Sequence, residues 1–65
     1  MTQASSASVI LELEASQALA LSQLVKRIGW AEIRQNAVSD DEAYEMRDAL
    51  GELQKSLAGA GYAPR

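Results

Sequence analysis

The chain contains no cysteine, no histidine and no phenylalanine, and only one proline. Without thiols, no disulfide can hold the fold and no thiolate can bind a metal. The lack of imidazole removes the other common metal ligand and the usual base of nucleophile–base pairs. Aromatic area is also scarce, being confined to Trp30, Tyr44 and Tyr62. No run approaches the roughly 18 consecutive apolar residues that suggest a membrane span. Met1 to Ser8 is small and polar with no basic residue, so we expect no signal peptide and a cytoplasmic protein.

What remains is 65 residues, 48% hydrophobic, with much of that fraction alanine. This is enough for one domain, 1–65, near the lower size limit for a core that stands alone. Helix packing or self-association must supply what disulfides and aromatics do not. The net charge of −3 is unevenly spread. Glu12 and Glu14 make the start acidic, Lys26, Arg27 and Arg34 make the middle basic, and acids dominate again from Ser39 onward. A net acidic chain does not favour direct nucleic-acid binding, which rewards cations at phosphates. It suits a protein partner that is itself basic.

Residues 1–7 are rich in Ser, Ala and polar groups, and we expect them to be disordered. From Ser8 to Glu14, Val9, Leu11 and Leu13 alternate with Ile10, Glu12 and Glu14, a period-two pattern that predicts a strand. No other segment reads as a strand, so its backbone groups require a partner outside the chain, unless the segment is the first turn of a long helix. A first helix is expected over about 15–28, with Ser16 as a cap and Ala18, Leu21, Leu24, Val25 and Ile28 on one face. Leu19 points away from that face. Gly29 is expected to stop the helix in the left-handed conformation. A short second helix over about 30–37 would turn Trp30, Ile33 and Ala37 inward, with Trp30 as the large core anchor.

The third helix, about 40–58, carries the clearest signals. Ser39-Asp40-Asp41-Glu42 reads as a capping box, with Ser39 accepting from a backbone N–H and Glu42 reaching back. Ala43, Met46, Leu50, Leu53 and Leu57 form one apolar stripe at spacings of three and four. Asp41, Glu45, Asp48 and Glu52 recur at the same spacings, about 150° around the helix from that stripe. Tyr44 and Gly51 border this acidic row. Residues 59–65 form a short tail in which Tyr62 is placed to fold back. The fold expected is therefore mainly α, three helices preceded by one strand.

No nucleophile–base pair, phosphate loop or metal-binding loop can be assembled from these residues, so no enzyme, cofactor or metal is expected. The acidic row steps along the axis by about 6, 4.5 and 6 Å, on the order of phosphate spacings in DNA. Such a row suits a groove built for nucleic acid, with Tyr44 beside it and Glu12 and Glu14 extending its field.

Two partial resemblances bear on function. Val9 to Val38 resembles the ribbon-helix-helix family: an alternating strand, a helix ending Leu24-Val25-Lys26-Arg27-Ile28-Gly29, then Glu32-Ile33-Arg34 in a second helix. That resemblance implies a strand-paired dimer, a DNA-binding regulator or an antitoxin, contacting DNA through Ile10, Glu12 and Glu14 on the strand and through Lys26, Arg27 and Arg34. Two carboxylates would then stand where that family usually places basic or amide groups. In size, acidity and helical make-up, the whole chain resembles the small acidic proteins of phages and mobile elements, which include anti-CRISPR inhibitors. This second resemblance implies a non-catalytic inhibitor whose acidic helix face takes the place of DNA on a basic, nucleic-acid-binding protein surface.

Overall fold

The computed structural model describes residues 6–62 and contains three helices: α1 (Ala15–Arg27), α2 (Trp30–Asn36) and α3 (Asp40–Gly59). The helical expectation therefore holds, and the strand does not. Residues 6–14 run without turn or bend but belong to no strand, because no second segment among the described residues lies alongside to complete a ladder. The alternation of Val9, Leu11 and Leu13 is a local property, whereas a strand needs a partner. Of the residues expected to be disordered, 1–5 lie outside the described range, as do 63–65 of the tail.

Helix α1 starts earlier than a Ser16 cap would set it. Glu14 is the cap, in extended conformation, and its N–H donates to Gln17 Oε1 at 3.0 Å. Starting there also lets the Ala18 N–H reach the Glu14 carbonyl at 2.9 Å, which a cap at Ser16 would forgo. Lys26 and Arg27 occupy the last turn, where the helix dipole favours cations. The connection to α2 is only Ile28 and Gly29, and both are extended. Gly29 has φ −109°, so it is not a left-handed stop. It caps α2 instead, donating its N–H to Glu32 Oε1 at 2.7 Å.

Helix α3 starts as its sequence predicts, with one shift. Ser39 Oγ accepts from the Glu42 N–H at 3.1 Å, while Glu42 reaches one residue beyond the cap to the Val38 N–H at 2.8 Å. The far end closes in a Schellman arrangement. The Gly61 N–H donates to the Ala58 carbonyl at 3.0 Å and the Tyr62 N–H to the Leu57 carbonyl at 2.8 Å. Gly61 has φ +96°, which a side chain would resist, and the turn it makes folds Tyr62 back onto the core.

Helix α3 is the spine on which α1 and α2 each pack; they do not pack on each other. Ala18, Val25 and Leu57 are buried at the α1–α3 contact, with Leu13, Leu21, Leu50, Leu53 and Tyr62 packed around them. Ile33 is the buried residue of α2. Among the described residues, the two at 0% exposure are small: Ala43 and Ser22. Ser22 satisfies its hydroxyl by donating to the Leu19 carbonyl at 2.8 Å, so a polar residue can occupy the core face of α1 without an orphaned group. Leu24 and Trp30, both expected inside, are 56% and 43% exposed. The molecule is thin, 38 × 28 × 16 Å, and among the described residues no fourth element covers those positions.

Candidate functional site: the acidic and aromatic flank of helix α3

Asp41, Glu45, Asp48 and Glu52 are all exposed along one flank of α3. Their regular spacing follows from an uninterrupted 20-residue helix, which Gly51 does not break. Two of the four are partly neutralised from the same helix. Arg47 Nη2 lies 3.3 Å from Asp48 Oδ1, and Lys55 Nζ lies 3.3 Å from Glu52 Oε2. These solvent-exposed pairs contribute little to stability but do reduce the local field. Asp41 and Glu45, in the N-terminal half of the row, make no ion pair among the described residues. Arg47, whose helical position points elsewhere, therefore reaches the row through its long side chain.

Beside the row stands an aromatic feature that the sequence pattern did not join together. The Trp30 and Tyr44 rings lie 5.1 Å apart at 32°, and the Arg47 guanidinium sits 5.1 Å from the Tyr44 ring centroid. Trp30 comes from α2 and Tyr44 from α3, so the stack joins the two helices. It is also open to solvent, with Tyr44 48% exposed. The signal that could have revealed it is the position of Tyr44, off the apolar stripe and thus available to a residue arriving from α2. At the same corner, Arg34 Nε pairs with Asp40 Oδ1 at 2.6 Å and its Nη1 donates to the Ala37 carbonyl at 3.2 Å. Arg34 is thus committed to holding the α2–α3 turn.

Glu14 stands at the N-cap of α1, engaged through its backbone and without a side-chain cap hydrogen bond, and Glu12 is exposed on the segment ahead of it. That segment borders a cleft of about 830 Å³. Its lining includes Val9, Ile10 and Leu11 from that segment and Ala49, Leu53 and Tyr62 from α3 and the turn after it. Glu52 is on its lining and is the one point where row and cleft meet. Among the described residues, no three acidic side chains converge to hold a metal ion, and no helix is long and apolar enough to cross a membrane.

The surface thus offers two chemically different regions: an apolar cleft at the end where the chain enters α1 and leaves α3, and a carboxylate row flanked by an aromatic stack toward the other end. Comparison adds only a family. No curated protein and no solved structure matches the chain. The family described as DUF7706, a family of unknown function, matches residues 1–65, and the chain belongs to it.

Proposed function

We propose that this protein is a non-catalytic, protein-binding inhibitor whose α3 flank docks on a basic surface built for nucleic acid. The observation that carries the reading is the placement of Asp41, Glu45, Asp48 and Glu52 on one exposed flank of a single helix, with the Trp30–Tyr44 stack alongside. Carboxylates at near-phosphate spacing supply the charge pattern that Arg and Lys in such a groove recognise. The half-exposed aromatics supply the apolar anchor that charges alone lack, since Trp and Tyr dominate the energetics of protein interfaces. Asp41 and Glu45, which spend no charge on neighbours, are the strongest contributors.

The finer form of this reading is an anti-CRISPR activity, in which the row excludes target DNA from a surveillance complex. The test measures retention of labelled duplex DNA by a purified CRISPR surveillance complex as this protein is added. The comparison is a fourfold variant, Asp41→Asn, Glu45→Gln, Asp48→Asn and Glu52→Gln, whose helix content is checked by far-UV circular dichroism. Displacement by the native chain and its loss in a folded fourfold variant is the expected result. Equal displacement by the variant would remove the acidic row from the mechanism, and no displacement by either would remove the anti-CRISPR form. The ribbon-helix-helix alternative is less well supported, because Arg34 is tied to Asp40 and Glu12 lies on the segment that would have to face DNA.

A further inference from the structure

The cleft and the carboxylate row lie on adjacent faces of one helix. On the wheel of α3, Asp41, Glu45, Asp48 and Glu52 cluster about one direction, and Ala49, Leu53, Ser56 and Ala60 about another roughly 90° away. The second set lines the cleft, where Glu52 is the one charged residue among the described lining. Ala49, Ser56 and Ala60 are exposed as well as small, so another backbone can come close to this face of α3. The row spans about 16 Å of the axis and the α3 side of the cleft about the same, with an overlap between Ala49 and Glu52. Together they run about 28 Å, the length of a helix of about 19 residues.

We propose, resting on the inhibitor reading above, that this double surface receives an amphipathic helix of the basic partner. Its apolar side chains sit in the cleft, and its Lys and Arg lie over the row. Charge decides among the occupants that an apolar cleft could take. No cation stands on the described lining to hold the anionic head of a fatty acid or phospholipid, and Glu52 repels one. The net charge of −3 likewise disfavours an anionic membrane surface. Lys55 pairs with Glu52 and Arg47 with Asp48, but both pairs are exposed, and such pairs are weak enough to yield to a closer cation. A cationic helix gives each region its complement, with apolar anchors at i, i+4 and i+7 filling the groove. Because row and cleft are offset along α3, the anchors belong in one half of the partner helix and the Lys and Arg in the other. The two halves meet at Glu52.

The test titrates the isotope-labelled full chain with two synthetic helical peptides of about 20 residues. Each carries Leu at i, i+4 and i+7 in one half and Lys in the other; one places the Leu half first, the other the Lys half. One polarity is expected to bind below about 1 mM, with amide shifts running from Glu45 through Glu52 to Ala60. Ala49→Lys blocks the cleft at an exposed helical position and leaves every carboxylate of the row in place. It should weaken binding about tenfold or more, as should the fourfold row variant. Ala58→Lys, which adds the same charge on the opposite side of α3, should change it by less than about twofold. Circular dichroism checks that each variant keeps its helices. Binding that Ala49→Lys leaves unchanged overturns the proposal and spares the acidic row. Binding that the fourfold variant leaves unchanged overturns it and counts against the row as well. Failure of both peptides to bind overturns it too. So does a doubled solution mass, or retention on phosphatidylglycerol vesicles, that Ala49→Lys abolishes, since the occupant is then a second copy or a lipid surface. Peptide binding without DNA displacement would instead leave the helix site standing and remove the anti-CRISPR form.

Discussion

Trp30 and Tyr44, from different helices, stack at 5.1 Å while both remain open to solvent. A tryptophan in a 65-residue chain would ordinarily be the core, yet here it clamps α2 to α3 from outside. Trp30→Ala should therefore cost about 1–2 kcal/mol, below the 3–5 kcal/mol of a buried tryptophan, because half of its area never left water. Urea unfolding followed by circular dichroism measures this directly, and a loss above 3 kcal/mol would contradict the outside-clamp description. Tyr44→Ala should cost less, since it loses the ring contact but keeps the helix.

The tightest positions are held by small residues, which predicts an asymmetry. Ala43→Leu should destabilise by about 1–3 kcal/mol, because a fully buried methyl site has no room for three more carbons. In a domain of this size that lowers the melting temperature by several degrees, roughly 4–8 °C per kcal/mol. Ser22→Ala should stay within about 0.5 kcal/mol, because its hydroxyl bonds a carbonyl of its own helix and leaves no cross-helix partner stranded. Differential scanning calorimetry of both variants settles the contrast.

Two glycines should respond in opposite directions. A Cβ at Gly51 meets nothing within 4 Å, so Gly51→Ala should gain up to about 1 kcal/mol of helix stability. Gly61 sits at φ +96°, so Gly61→Ala should lose about 1 kcal/mol and loosen Tyr62 from the core. Thermal melts give the two signs.

The start of α3 depends on a hydroxyl. Ser39→Ala removes the acceptor of the Glu42 N–H and should cost about 1 kcal/mol, whereas Ser39→Asp should retain most of it. Amide hydrogen exchange at Asp41, Glu42 and Ala43 should quicken in the alanine variant and leave the exchange of Leu57 nearly unchanged.

Much of the architecture was written in local pattern. The stripe of α3, its Ser39 cap, the outward-facing Leu19 and the fold-back of Tyr62 all follow from spacing and turn chemistry over a few residues, and the structure has each of them. What spacing could not show depends on which elements meet. Ser22 reads as polar until its bond to Leu19 is seen. Leu24 and Trp30 read as core, but Leu24 is 56% exposed and Trp30 is covered on one side by Tyr44 and otherwise open to solvent. Gly29 reads as a left-handed stop, but a two-residue link with Glu32 placed to accept its N–H makes it a cap. The acidic row was legible as a row. So was Lys55 beside it, which pairs with Glu52 one turn away, whereas the reach of Arg47 to Asp48 and the aromatic stack were not, because long side chains and interhelical contacts do not follow helical angle.

The Schellman turn at Gly61 has a consequence for how the molecule meets a target. By returning Tyr62 to Leu57, it brings that ring to the lining of the apolar cleft, whose α3 side starts at Ala49, about 8 Å along the axis from Tyr44. A single partner lying along α3 would therefore meet the ring-lined cleft and the carboxylate row at once, with Glu52 shared between them.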